Sequence, residues 1–414
     1  MKLIYKLLLL ILIIPTIGNA QVTSEWRGLG RTGVYNESGL LQKWPDTGPS
    51  MLWSAQNLPK GNSSVAIGTT MLYTTGVLND EEILIALDYQ GKLKWQVPFG
   101  KAWGGSYSES RATPTIENER IYVSSGNGDI ACLDANDGKV FWKVDALEKF
   151  QGVNGNWGHA ESILLAENNA IFITGGEKAS MVALDKATGT TVWTAESLND
   201  APAYSSPVLI EHNGKKQIVA VTKSYIVGVS PIDGKLIWKF DFSKFAGTEG
   251  RNNNATTPVY FDGNIYVTSG YNHAGVMLRL APDGTSVSLA WSDKILDNHH
   301  GGVVKVGNYI YGSNWLNNGM GKWVCLDWND GSVKYEQEWI NKGSIIAADG
   351  HLYCYEEKTG MLALVKANPE KFDIISAFKI PLGTGPHWAH PVIHNKILYV
   401  RHGDALMAYD IALK

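Results

Sequence analysis

One motif recurs along this chain: an apolar strand, a turn built on Asp and Gly, and a second strand ending in a large aromatic. Its clearest copy is MVALDKATGTTVW, Met181 to Trp193. Related copies are IALDYQGKLKW ending at Trp95, ACLDANDGKVFW at Trp142, VGVSPIDGKLIW at Trp238 and MLRLAPDGTSVSLAW at Trp291, while WVCLDWNDGSVKY places Tyr335 in the aromatic slot. Gly supplies the positive φ that such a turn needs, and the Asp side chain bonds the turn backbone. Ahead of each copy lies another hairpin, for example PTIENERIYVSSG or PVYFDGNIYVTSG. Each hairpin is two short runs of β-branched and aromatic residues around a polar turn. The unit therefore has four strands and a period of roughly 45 residues, which is the signature of a propeller blade.

The aromatic slots are Trp53, Trp95, Trp142, Trp193, Trp238, Trp291, Tyr335 and Phe378. They predict an all-β, eight-bladed β-propeller of four-stranded antiparallel blades. The C-terminal stretch HPVIHNKILYVRHGDALMAYDIALK supplies three strands and stops, and PSMLWSAQ near Trp53 supplies an orphan outer strand. Joining the N-terminal strand to the last blade closes the ring and removes a sheet edge. The segment WRGLGRTGVY, Trp26 to Tyr35, does not repeat and is expected to cap one face of the ring, with Arg27 and Arg31 as candidates to reach a site.

The pattern A-L-D-x-x-T-G-x-x-x-W at Ala183 to Trp193 resembles the tryptophan-docking repeat of the PQQ-like propellers, the quinoprotein dehydrogenases and the non-enzymatic BamB-like outer-membrane assembly propellers. The resemblance spans nearly the whole chain beyond its leader and weakens in blades five to eight. For the enzymes of that group it implies PQQ held with a calcium ion, a base aspartate and a vicinal-cysteine disulfide. None of these can be matched residue by residue here, so PQQ finds no support in the site residues and the cofactor is unknown. The BamB-like branch implies a binding or scaffolding role.

Lys2 and Lys6, the apolar run Leu7 to Ile14 and the small residues Gly18-Asn19-Ala20 read as a secretory signal peptide over residues 1–20. Residues 21–48 are then an N-terminal extension or cap, and 49–414 a single propeller. Export to the periplasm or beyond is expected, and with no cysteine near the cleavage point, no stable membrane anchor. A net charge of −4 argues against nucleic acid as a partner. The three cysteines, Cys132, Cys325 and Cys354, form no C-x-x-C or vicinal pair. Cys132 and Cys325 take the slot of Ala86 and Ala183, so they read as small buried strand residues.

Candidate site residues come from the positions that lead into each innermost strand, because those ring one mouth of the channel. Aligned on Pro114, Pro207, Pro258 and Pro391, the positions three before are Asn62, Arg111, His159, Tyr204, Ala255, His300, Lys342 and Trp388. The positions one before are Ser64, Thr113, Glu161, Ser206, Thr257, Gly302, Ser344 and His390. The motifs WGHAES, NHHGG and HWAHP add Trp157, His299 and His387, and Arg251 lies close by. Titratable and aromatic groups converging on one concavity make a ligand site. Arg111, Arg251 and Lys342 outnumber Glu161, which predicts a small polar or anionic ligand. A saccharide is one such class, since Trp157 and Trp388 can stack on a sugar ring. No metal site is expected, because His159, His300 and His390 come from dispersed blades. The leading expectation is a binding or scaffold protein, with protein partners open. The alternative is an enzyme at the same mouth, either a PQQ-dependent oxidoreductase or an anionic-saccharide lyase. In the lyase, Arg111 would neutralise a uronate, Tyr204 or His159 would abstract the α-proton and His300 would protonate the leaving oxygen.

Overall fold

The Asp-Gly turn sets the register of each blade, as the third shows. Asp185 Oδ1 accepts from the backbone N–H of Ala187 at 3.0 Å and of Thr188 at 2.8 Å, which fixes the turn. The outer strand Thr191–Thr194 then pairs with Val182–Asp185, Trp193 opposite Ala183, with a bulge one residue before the tryptophan. Gly189 in this turn has φ +70°, and a Cβ there would lie 2.6 Å from the Trp142 ring. The Trp142 indole of blade 2 thus lies flat on the turn of blade 3, and its Nε1 donates to Lys186 O at 3.0 Å. Trp53, Trp95 and Trp193 repeat that bond to Tyr89 O, Asn136 O and Pro231 O of the following blade. Four junctions are thereby keyed by one apolar face and one hydrogen bond, whereas Trp238 Nε1 donates to Gln217 Oε1 of its own blade and Trp291 Nε1 has no partner.

The computed structural model describes residues 23–414; the leader expected over residues 1–20 lies outside them. Eight antiparallel sheets, seven of four strands and one of five, form an eight-bladed propeller. Their cores are hydrophobic clusters shared between adjacent blades, such as the one joining Tyr122 and Trp142 of blade 2 to Phe172 and Val182 of blade 3. Cys132, Cys325 and Cys354 are buried and unpaired in these cores.

The ring closes as the repeat count requires. Ser50–Ala55 pairs with the last strand, Ala405–Asp410, with Trp53 opposite Ala408. Blade 7 departs from the pattern. Its outer strand, Asp373–Lys379, places Ser376 immediately after the bulge, where the other blades carry Trp or Tyr, and Phe378 lies two residues beyond, opposite Leu362. From there Phe378 still reaches the turn of the next blade, since a Cβ on Gly48 would come within 2.4 Å of its ring. Trp44, from the N-terminal extension, fills the space this leaves. It meets Phe378 edge to face at 5.4 Å, and its backbone N–H donates to Ser376 Oγ at 2.9 Å.

The N-terminal segment is a plug inside the channel. Thr23–Ser24 adds a fifth strand to blade 2, pairing with its innermost strand, Thr115–Glu117. The chain then crosses the channel, and Tyr35 N–H donates to Ala347 O of blade 7 at 2.8 Å. Two buried arginines anchor the crossing. Arg31 donates to Ile163 O at 2.6 Å and Pro207 O at 2.9 Å; Arg27 donates to Val303 O at 2.6 Å and Ile345 O at 3.2 Å. These four carbonyls occupy the same position at the start of the innermost strands of blades 3, 4, 6 and 7. Arg31 also pairs with Glu25, Nε to Oε2 at 3.3 Å. Leu29 and Tyr35 face the end of the channel where the inner hairpins turn, beside Gly68 and Asn395.

Candidate functional site

At the other end, the residues leading into the inner strands are tied from blade to blade by hydroxyls. Ser64 N–H donates to Thr113 Oγ1 at 2.9 Å and Thr113 N–H to Ser162 Oγ at 3.1 Å. Ser162 N–H donates to Ser206 Oγ at 2.9 Å, and Ser206 N–H to Thr257 Oγ1 at 3.2 Å. This belt fixes the true alignment of the blades. In blade 3 the belt residue is Ser162, not Glu161, so the position equivalent to Arg111 and Tyr204 is Ala160. Neighbouring side chains in extended backbone point to opposite sides. A slip of one residue therefore sends His159 and Glu161 behind the wall.

The belt frames a cavity of about 330 Å³. Trp26 of the plug is in its lining, so the funnel is blind. Around it stand Tyr107, Arg111, Trp157, Tyr204, Arg251, Asn253, Tyr271, His299, His300, Glu357, Trp388 and His390. Eight of the sequence-predicted site residues are thus brought together: Arg111, Trp157, Tyr204, Arg251, His299, His300, Trp388 and His390. The aromatic rings form pairs, Trp157 with Tyr204 at 5.4 Å and Tyr107 with Trp388 at 5.5 Å.

Four predicted residues do not line the cavity. His159 is buried against Phe172, 4.9 Å between ring centroids, and burial pushes it down to about 4, with Arg111 adding to the shift. Glu161 accepts from Ile173 N–H at 2.8 Å inside the blade, and burial raises its carboxyl well above the usual range. The Lys342 ammonium is spent on Glu357 Oε1 at 2.6 Å and on the carbonyls of Asn317 and Asn318, both at 3.1 Å. His387 stacks on His402 at 3.6 Å and meets Tyr355 Oη at 2.5 Å. Conversely, Trp26, Tyr107, Asn253, Tyr271 and Glu357 were not among the sequence candidates. They come from the plug and from the tops of the blades, outside the aligned positions, and only Trp26 carried a signal, its place in the non-repeating segment.

The cavity presents two guanidinium groups, Arg111 and Arg251. Arg111 Nη2 donates to Trp157 O, while its buried Nε has no partner. Burial lowers the Arg111 pKa, opposed by the charge of Glu82. His390 is fully engaged. Arg27 donates to its Nδ1 at 2.9 Å, so Nε2 carries the proton and donates to His300 O at 3.1 Å. Burial, with the charge of Lys342, pushes His300 down to about 3, and burial raises the Tyr204 phenol. Near neutral pH His300 is therefore unprotonated and Tyr204 protonated. These are not the forms in which Tyr204 would serve as base and His300 as acid, and the alternative base His159 stands behind the wall. PQQ does not fit either. No aspartate lines the cavity among the described residues, the lining carboxylate Glu357 is tied to Lys342, and the cysteines sit singly in strands.

In solved structures, BamB from Moraxella catarrhalis superposes with a TM-score of 0.62 at 13% identity, covering 87% of this chain and 97% of that one. A europium-containing methanol dehydrogenase gives 0.63 at 12% identity, covering 91% and 88%. At such identities the likeness shows the propeller alone. Among sequence relatives, the outer membrane protein assembly factor BamB of Kangiella koreensis is 23% identical over 225 residues, 53% of this chain and 52% of the relative. The match thus spans about half the relative's length. That of Moranella endobia is 23% identical over 291 residues, 66% and 69% of the two chains. A family model described as outer membrane protein assembly factor BamB matches residues 79–337, more than half of the chain and all of blades 2 to 6. With the docked tryptophans and the blades in place, the chain belongs to the family of the outer membrane protein assembly factor BamB.

Proposed function

We propose that this chain is an exported, non-catalytic propeller that binds a small polar or anionic ligand at the channel mouth, a uronate-type saccharide being the class that suits the lining best. One observation carries the reading: a blind cavity lined by Trp26, Tyr107, Trp157, Tyr204, Tyr271 and Trp388, with the guanidinium groups of Arg111 and Arg251 also in its lining. Aromatic faces suit the apolar side of a sugar ring, and a guanidinium pairs with a carboxylate by charge-assisted hydrogen bonds. The family model and the sequence relatives carry the names of assembly factors, which supports a binding role over turnover. The leader-like residues 1–20 support placing the protein outside the cytoplasm.

The test is calorimetric titration of chelator-treated protein with glucuronate, galacturonate and their short oligomers. Saturable binding is expected, weakened about tenfold by Trp388→Ala and by at least as much by Arg111→Gln. Absence of heat and of any melting shift across the panel overturns the reading, and release of unsaturated product would restore the lyase. The family match favours a second reading, a part in assembling outer membrane proteins, as the names of the relatives state. Its readout is the level of outer membrane proteins in cells that lack the chain.

A further inference from the structure

One wall of the cavity gathers three side chains that each offer a metal ligand. A ring nitrogen of His299, a ring nitrogen of His300 and a carboxylate oxygen of Glu357 all lie within 4.8 Å of one another. The imidazoles are adjacent in sequence yet face each other, with centroids 4.2 Å apart. Two of their nitrogens, His299 Nδ1 and His300 Nε2, are shut off from solvent and have no hydrogen-bond partner. A buried polar atom left unpaired costs about 1–3 kcal/mol, so such a pair calls for an occupant.

The surroundings suit a cation. His299 Nε2 lies 2.7 Å from Tyr271 Oη, which is placed to accept its proton and leave Nδ1 free to ligate. Metal-bound histidines usually donate their second N–H in this way. Glu357 Oε2 stands 3.4 Å from His300 Nε2, while Oε1 is held by Lys342 at 2.6 Å. The other Lys342 contacts are the carbonyls of Asn317 and Asn318, so its protons are directed away from the imidazoles. Tetrahedral ligation at about 2.1 Å puts donor atoms about 3.4 Å apart, so no pair of the three groups needs to close in by more than about 1.4 Å. Two imidazoles and one carboxylate suit zinc(II) and its neighbours over calcium or magnesium, which prefer all-oxygen shells.

We propose that His299, His300 and Glu357 bind one divalent cation of the zinc(II) class, with an open coordination position facing the cavity. The site stands independently of the saccharide reading; where both hold, the ion offers an anchor for a ligand carboxylate or hydroxyl. The probe is zinc(II) alone, titrated into chelator-stripped full-length protein, with cobalt(II) absorption reporting the coordination. One equivalent is expected to bind, with a cobalt(II) band of four- or five-coordinate intensity. His300→Ala and His299→Ala should each weaken binding at least about tenfold while melting remains cooperative. Glu357→Gln leaves Lys342 unpaired and tests the third ligand only if that variant folds, so the histidine variants decide. Failure to bind zinc(II) overturns the proposal, as does undiminished affinity in His300→Ala, which would place the ion on surface histidines such as His212 or His394. Saccharide titrations run with and without chelator separate failure of this site from failure of the ligand reading.

Discussion

At the residue scale, the least expected feature is how many ionisable groups are buried around the channel without a full set of partners. Glu82 is an example. Its Oε1 accepts from Gly126 N–H at 2.9 Å, its Oε2 has no partner, and burial pushes its carboxyl up to about 7. A carboxyl raised on folding binds more protons in the folded than in the unfolded chain between its two pKa values. Stability from this group therefore falls as pH rises from about 4.5 to about 7, by something of order 3 kcal/mol, and is flat outside that window. Glu82→Gln removes the slope, so the variant should gain stability relative to wild type as pH rises through the window. Urea denaturation at several pH values reads this directly, and parallel curves for the two proteins would show that Glu82 is ionised in the fold. His159, pushed down to about 4, acts with the opposite sign and loses stability as pH falls below its unfolded value of about 6.5.

At the scale of the element, the unit of stability is the contact between one blade's tryptophan and the next blade's turn. Trp142 is buried, donates to Lys186 O and lies on Gly189. Trp142→Ala should cost about 3–5 kcal/mol by emptying that space. Gly189→Ala should also destabilise, since it forces a Cβ into the indole at a positive φ. The two effects should be far from additive, because alanine at 142 removes what the new Cβ would strike. A double-mutant cycle by denaturant melting checks this, and additivity would mean that the turn and the ring are energetically separate. These contacts are why the blades were legible in the sequence: turn and docking residues recur at fixed spacing because the geometry repeats. Blade 7 shows the limit. Ser376 holds the aromatic position of the register, Phe378 does the docking, and Trp44, distant in sequence, completes it.

For the whole molecule, the N-terminal segment does two jobs, and the repeat count reveals only the first. Ser50–Ala55 closes the ring, and residues 23–35 plug the channel with Arg27 and Arg31 bonded to carbonyls of four blades. Arg31→Met leaves Glu25 and the carbonyls of Ser162, Ile163 and Pro207 without their arginine and should cost about 3 kcal/mol or more. Added to Arg27→Met, it should release the plug and expose the inner strands to hydrogen exchange while the outer strands stay protected. Unchanged exchange at Ile163, Val303 and Ile345 would show that the plug is not what holds the inner ring. The sequence by itself determined the blade, its number and the closure of the ring, because each follows from local turn chemistry and a period that any copy of the motif displays. It also marked the channel mouth as the place where reactive side chains gather. Only the tertiary structure decided which of them meet. A one-residue slip in blade 3 turned His159 and Glu161 inward, Glu357 took up the charge of Lys342, and the plug brought Trp26 to the floor of the cavity. The physical reason is that extended backbone reverses the side chain's direction at every residue, and contacts between distant blades are written in no local pattern.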